Sequence, residues 1–354
     1  MRTLVRATNW VGDVVMSLPA VRALRAADPK GRLAVLARPW VAELYRLLAE
    51  VDEVLVDASK DRKTDPKARG RLAGEIRRGS FDRAVILPTS FETAWTLARA
   101  GVPERVGYRG ELRGALLTRA VRPSLAPGEH QVWKHLRLAA AAGAPVPEAP
   151  DVSWPVGAAV REAARARLAS VGWKGGPFAA AHVASFAHAA KRWDLARFAT
   201  VFDELAGRRG LPVVLLGSDG EKSVNAKAAA LAAKARTFDL SGMTTLPEAL
   251  GVLAEARLFL GNDSGLAHLA GAAGTPSVVV FGSTDPEATR PWDGPRGDKR
   301  PVRLALVRRR TLCAPCRFAV CPIDHACMDG VMPNDVLEAV DFVLSLPGVS
   351  SSNE

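Results

Sequence analysis

Residues 261–275 read GNDSGLAHLAGAAGT and stand between two apolar runs, 256–261 and 276–283. A connector between buried strands needs only a turn and a helix. This one adds a carboxylate (Asp263), a hydroxyl (Ser264), a glycine (Gly265) and an imidazole (His268). Asp263 or Ser264 is a natural N-cap for a small-residue helix over 266–273. The N–H groups of its first turn, at the positive end of the helix dipole, suit a phosphate or another anion. His268 follows Ser264 by four residues and shares its helix face, while Gly265 lets a ligand approach closely. From this stretch alone, a plain capped helix with a partly buried histidine is the favoured reading. Two further junctions shift the balance. LPVVLLGSDGE (211–221) runs from a strand through Gly217 and Ser218 to Glu221 at a helix start, and FDLSGMTTLPEAL (238–250) sets Ser241, Gly242 and Met243 between strand and helix. Three such junctions predict a nucleotide cradle. No GxGxxG and no Walker lysine motif occurs, which argues against ordinary dinucleotide and P-loop sites.

The amino-terminal stretch RTLVRATNWVGDVVMSLPAVRALRAADP (2–29) predicts strand, glycine-containing loop and helix. Pro19 suits a helix interior poorly, so the regular helix is expected to begin near Ser17 or to kink there. Asp13 then sits in a stiff turn at the strand's carboxyl end, as a reactive carboxylate or simply as an N-cap.

The elements that must hold these residues follow from periodicity. Strands are expected at Thr3–Ala7, Arg32–Ala37, Glu53–Val56 and Arg83–Leu87, then at Phe178–Val183, Pro212–Leu216, Thr237–Asp239, Ala256–Leu260 and Ser277–Phe281. Helical stretches such as 157–170, 194–208, 221–235 and 246–254 lie between them. The alternation predicts an α/β chain of parallel sheets covered on both faces. A Pro/Ala-rich stretch, 143–157, reads as a linker. The expected architecture is two facing Rossmann-like domains, 1–153 and 154–333, with a cleft between them and ligands beyond the strands' carboxyl ends. Residues 334–354 are expected to form a helix and tail that pack back on the first domain.

The chain has 354 residues, about half apolar and a quarter charged, with a formal charge of +11. That length fits two domains. The charge suits solvated arginine faces or an anionic partner, and nucleic-acid signatures are absent. No apolar run is long enough for a membrane span. The beginning of the chain has no signal-peptide pattern, so a cytoplasmic location is expected.

Taken in order, NWVGDVVMSLPAVRAL, LPTSFETAWTLARAGVPERVGYRGELR, AKRWD, GNDSGLAHLAGAAGTPSVVVFGSTDP and CAPCRFAVCPIDHACM resemble glycosyltransferase family 9, the ADP-heptose:lipopolysaccharide heptosyltransferases, and its type II members in particular. The resemblance spans roughly 3–340. It implies a GT-B fold with the acceptor on the first domain and an ADP-sugar on the second. It also implies inverting transfer of L-glycero-D-manno-heptose from ADP-heptose to a heptose of the lipopolysaccharide inner core. By the same resemblance Asp13 matches the proposed catalytic aspartate and Lys191 a lysine on the donor phosphates. Glu221 matches a ribose-binding glutamate, Met243 a neighbour of the adenine, and Asp263, Ser264, Gly265 and His268 the donor loop. Ser185, Gly217, Ser218, Ser241 and Gly242 complete the expected donor set, and Gly12, Thr89, Ser90, Arg105, Tyr108, Arg109 and Arg113 the acceptor set. The chain departs from the family at His182-Val183-Ala184-Ser185, where Pro-Gly-Ala or Pro-Gly-Ser is usual, and at Asp194, where proline is usual.

No obligatory cofactor is implied, with Mg²⁺ as a stimulant at most. The expected partners are ADP-heptose, an inner-core glycolipid and the anionic inner face of the inner membrane, where the protein would be peripheral; nucleic acid is not expected. Trp40 and Trp95 are expected in the core, with that surface as the alternative. A different nucleotide-sugar glycosyltransferase, a GT-B-like epimerase and a non-catalytic basic binding protein are the competing readings. All four cysteines fall in C-x₂-C-x₄-C-x₅-C, at Cys313, Cys316, Cys321 and Cys327, with His325 among them. Reduced thiols in a compact loop, a metal set and one or two disulfides are the alternatives there.

Overall fold

The computed structural model describes residues 1–59, 66–124, 126, 128–185, 188–294 and 303–346. The chain divides into two compact units, Met1–Val152 and Ser153–Glu354.

In the first unit the strands are β1 (Arg2–Arg6), β2 (Arg32–Ala37), β3 (Glu53–Val56), β4 (Arg83–Ile86), β5 (Glu104–Tyr108) and β6 (Arg119–Val121). They form one sheet in the order β3-β2-β1-β4-β5-β6, parallel at every pairing. The second unit repeats the plan with β7 (Ala179–His182), β8 (Val213–Leu215), β9 (Thr237–Asp239), β10 (Leu258–Asn262), β11 (Ser277–Phe281) and β12 (Leu304–Arg308). Its order is β12-β11-β10-β7-β8-β9, again wholly parallel. Each sheet therefore reverses its strand order once, between β1 and β4 and between β7 and β10. Beyond the carboxyl ends of such strands the outgoing loops diverge and leave a crevice.

The central strands are buried on both faces, which is why they read as unbroken apolar runs: LFLGN in β10 and SVVVF in β11 have no exposed residue. Leu4, Leu36, Ile86 and Leu97 anchor the core of the first unit, and Trp193, Phe198, Leu260 and Val280 that of the second.

The structure corrects several expectations. Helix Val11–Ala27 runs through Pro19 without a break, so Asp13 stands in its first turn rather than in a loop before it. The terminal helix Pro333–Ser345 places Val336, Val340 and Val343 in the core of the second unit, against β11, β12 and helix Leu195–Arg209. Trp40 is not a core residue: it is 51% exposed, its Nε1–H donates to the Asn9 carbonyl at 2.8 Å, and the Arg38 guanidinium covers its ring. Trp95 is half-buried beside the guanidinium groups of Arg69 and Arg99. Among the described residues no helix is long and apolar enough to cross a membrane.

Candidate active site

The second unit gathers its polar groups beyond the carboxyl ends of β7 and β10, at the reversal of strand order. Asp263 directly follows β10 and is nearly buried. Its Oδ2 lies 2.7 Å from Lys191 Nζ and accepts a hydrogen bond from Thr284 Oγ1 at 2.7 Å. The side chain of Lys191 keeps 19% of its surface and that of Asp263 only 4%, so the ammonium has one side toward solvent. A buried carboxylate with a cation and a hydroxyl is compensated; the exposed side of that cation is what an incoming anion would meet.

Asn262, wholly buried, fixes the segment that carries Lys191. Its Oδ1 accepts the Trp193 N–H at 3.0 Å and its Nδ2 donates to the Val183 carbonyl at 2.9 Å. Arg192 adds a second tie, donating to the Ser185 carbonyl from Nε at 3.2 Å and Nη2 at 2.9 Å. Gly261 pairs with His182 where β10 lies beside β7, and a Cβ there would stand 2.8 Å from the His182 carbonyl. Asp194 caps helix Leu195–Arg209 by accepting the Arg197 N–H at 3.0 Å, so the exchange of proline for aspartate keeps the helix start intact.

Ser264 holds the N-cap position of helix Gly265–Ala273, but its hydroxyl makes no hydrogen bond to that helix. It lies instead 3.0 Å from His182 Nδ1, leaving the first turn without a side-chain cap. His182 Nε2 is 3.4 Å from Glu221 Oε1. Glu221 ends the short turn Asp219–Glu221, and its Oε2 accepts from the Ser218 N–H at 2.7 Å and the Ser218 hydroxyl at 2.8 Å. Burial alone would raise the Glu221 carboxyl, but the contacts from His182 and Ser218 outweigh it and bring it down to about 2. Next to it, Asn225 ties two junctions together by donating to the Leu216 carbonyl at 3.2 Å and to Ser241 Oγ at 2.6 Å. Gly242 adopts a left-handed φ of +67° and packs where a Cβ would be 2.8 Å from Asp219 Cα. Met243 is 37% exposed beside it. His268 is buried, and desolvation, the largest influence, pulls its imidazole down to about 4, so it is neutral at pH 7.

Thus Lys191, Asp263 and Ser264 share the β7–β10 edge, with Glu221 joined to them through His182. Ser218, Gly217, Ser241, Gly242 and Met243 line the neighbouring junctions. His182, Asn262, Arg192 and Thr284 escaped the sequence reading as site residues. The departure from the family pattern marked His182; the rest act through contacts that local sequence does not show.

The first unit places Asp13 beyond the carboxyl end of β1, beside buried Gly12. The approach to it is fixed by Arg6, which pairs with Asp57 at 3.2 Å, both side chains 3% exposed, and reaches Asn9 Oδ1 at 3.4 Å. Thr89 and Arg109 are exposed and Ser90 half-buried, at the ends of β4 and β5. Three expected acceptor residues point elsewhere. Arg105, at the start of β5, spends its guanidinium on the carbonyls of Leu116, Val102 and Pro103. Tyr108 is buried and donates its hydroxyl to the Lys134 carbonyl at 2.7 Å. Arg113 is wholly buried and donates to the carbonyls of Pro88 and Ser90 at 2.7 and 3.1 Å. It supports the Thr89–Ser90 loop from beneath.

The four cysteines are free thiols, Cys313 exposed and Cys327 buried. Among the described residues no three or more His, Cys, Asp or Glu side chains are grouped to hold a metal. The loop instead braces the lysine segment: His325 Nε2 lies 2.9 Å from the Ala190 carbonyl, and the Ala190 N–H donates to the Ala319 carbonyl at 3.0 Å.

Residues 69–316 match the family model of glycosyltransferase family 9 (heptosyltransferase). Lipopolysaccharide heptosyltransferase 2 of Salmonella typhimurium is 30% identical over 99% of this chain and all of its own length. The chain belongs to glycosyltransferase family 9. The solved structure of the E. coli ADP-heptose lipopolysaccharide heptosyltransferase II superposes with a TM-score of 0.79 at 26% identity, covering 97% of this chain and 98% of that one. A family 9 glycosyltransferase from Veillonella parvula shares the fold with a TM-score of 0.82 at 19% identity, with 97% of each chain covered. As a family 9 member the protein is a glycosyltransferase of the GT-B fold, its two parallel sheets being the two Rossmann-like domains of that class.

Proposed function

We propose that this family 9 enzyme transfers L-glycero-D-manno-heptose from ADP-heptose to a heptose of the lipopolysaccharide inner core, with inversion at the anomeric carbon. The observation that carries this reading is the lysine–aspartate pair beside an uncapped helix start, at the strand-order reversal of the second unit. That arrangement presents a cation and backbone N–H groups to a departing diphosphate, in a chain similar over most of its length to lipopolysaccharide heptosyltransferases.

In this mechanism Lys191 and the N–H groups at Ser264 and Gly265 take up the charge that develops on ADP as the glycosidic bond breaks. Glu221 receives the ribose and Met243, with Ser241 and Gly242, the adenine. Asp13 accepts the proton of the acceptor hydroxyl. An aspartate is a weak base, so proton transfer comes late, as the sugar nears oxocarbenium character. Thr89, Ser90 and Arg109 are the acceptor-side groups with accessible surface. No metal is required where cation and helix dipole already face the leaving group; Mg²⁺ would act as a stimulant. The charge of +11 suits peripheral residence on the anionic inner face of the inner membrane.

Incubation with ADP-heptose and a heptose-terminated core acceptor, read by mass spectrometry, tests the reading. Gain of one heptose unit is expected. Donor turnover without an acceptor would instead indicate an epimerase, and no gain on any core acceptor would overturn the proposal.

A further inference from the structure

His182 joins two parts of the donor site. Its ring is buried, 5% exposed for the residue, with Nδ1 3.0 Å from Ser264 Oγ and Nε2 3.4 Å from Glu221 Oε1. A neutral imidazole carries one N–H. An ionised Glu221 offers only lone pairs, so that N–H must sit on Nε2. Nδ1 is then an acceptor, and Ser264 must turn its hydroxyl hydrogen toward the ring. The Ser264 oxygen is left with lone pairs alone for any ligand at the helix start. Facing phosphate oxygens, that orientation repels. One added proton on Nδ1 reverses the bond: the ring donates to Oγ, and the hydroxyl hydrogen is released to point at the phosphate.

We propose that binding of a nucleoside diphosphate draws one proton onto His182, which turns the Ser264 hydroxyl into a donor to the diphosphate. His182 is thereby a positioning residue that links the ribose-side carboxylate to the phosphate-side hydroxyl and makes donor affinity depend on pH. The inference rests on the second unit being the donor site. The proton comes from solvent, and the only bond made is the N–H. Several elements of the second unit carry the charged and titratable groups of this site. Glu221 lies on the turn Asp219–Glu221, Asp263 with its partner Lys191 lies beside Ser264, and neutral His268 lies in helix Gly265–Ala273. Asp239 at the end of β9 is engaged by the Ser241 N–H at 2.8 Å. Lys191 opposes the added proton; Glu221, Asp263 and the incoming phosphates favour it.

Calorimetric titration with ADP at pH 7.5, in two buffers of different ionisation enthalpy, counts the protons taken up. Uptake of a substantial fraction of a proton is expected for the wild type. His182→Gln keeps the neutral pattern, an amide N–H to Glu221 and a carbonyl to Ser264, but cannot charge. It should bind ADP several-fold more weakly, with uptake near zero. Its affinity should stay flat between pH 6.5 and 8.5, where the wild type weakens as pH rises, since the bound state holds more protons. Ser264→Ala removes the hydroxyl that the proton turns toward the phosphate and should clearly reduce uptake, which keeps the test open should the glutamine variant fold poorly. Uptake undiminished in either variant, or absent from a wild type that binds ADP, overturns the proposal alone. Failure of the wild type to bind ADP overturns the donor-site reading together with it.

Discussion

Asp13 and Lys191 belong to different units, and that separation makes their proposed roles separable by experiment. Asp13→Ala removes a proton acceptor and should lower turnover about 10²–10⁴-fold, the ordinary range for an acid–base group. The proposed ADP groups lie in the second unit, so the rise in melting temperature with ADP should persist unchanged. Near-full turnover in this variant would take Asp13 out of the mechanism. Lys191→Ala acts differently, since the lysine also compensates Asp263, whose side chain is 4% exposed. Deleting one member of a fully buried pair costs about 3–5 kcal/mol; partial exposure of the ammonium reduces this toward about 2 kcal/mol. Donor KM should rise and kcat fall together. The double variant Lys191→Met with Asp263→Asn removes the uncompensated charge, so melting should recover while activity does not. Recovery of both would mean that the lysine serves only the fold.

At the scale of elements, the junction between β10 and the lysine segment depends on one amide. Asn262→Ala leaves the Trp193 N–H and the Val183 carbonyl without their partner. Each unsatisfied buried group costs about 1–3 kcal/mol, so a clear loss in melting temperature is expected. Because Trp193 lies two residues beyond Lys191, donor KM should increase more than kcat decreases. A stability loss with unchanged KM would confine Asn262 to folding. What was legible beforehand divides along the same line. Buried strands such as β10 and β11 announce themselves as apolar runs, although β10 begins two residues later than its pattern suggested. The strands β5, β6 and β12 are hard to see in sequence because ERVGY, RAV and LALVR are short segments that carry or abut arginine and glutamate, and β6 and β12 are sheet edges. Pro19 points to a helix start near Ser17 or a kink, yet only one intrahelical N–H is lost there, and the helix is buried along most of its length. The turn from β10 into helix Gly265–Ala273 was legible because a strand end, two polar residues and a glycine lie within a few residues. His182 with Ser264, and Arg6 with Asp57, are separated by 82 and 51 residues. Neither half of such a pair carries a local signal of the other.

On the scale of the whole molecule, each unit holds a buried histidine whose burial favours the neutral ring, His135 in the first and His268 in the second. In the first, His135 is fully enclosed in helix Gln131–Ala141, neither ring nitrogen has a hydrogen-bond partner, and desolvation, aided by Lys134 and His130, pulls it down to about 3. In the second, His268 is held at about 4, chiefly by desolvation. Both values lie below that of an unfolded histidine, near 6.5, so the unfolded chain binds more protons as pH falls. Their contribution is therefore fully present above about pH 6.5 and is lost as pH drops through 6 toward 4 and 3, at roughly 1.4 kcal/mol per pH unit for each group. Glu221, brought down to about 2, adds a separate loss that begins only below about pH 4.5. The melting temperature should accordingly start to fall near pH 6, well before carboxylate titration begins. His135→Leu tests this directly, because the ring it replaces makes no hydrogen bond that would be forfeited. The variant should melt at or above the wild-type temperature at pH 7, and its decline between pH 6 and 4 should be shallower. Should the two profiles run parallel through that window, acid sensitivity lies elsewhere, and the enclosed imidazole of the first unit is not what sets it.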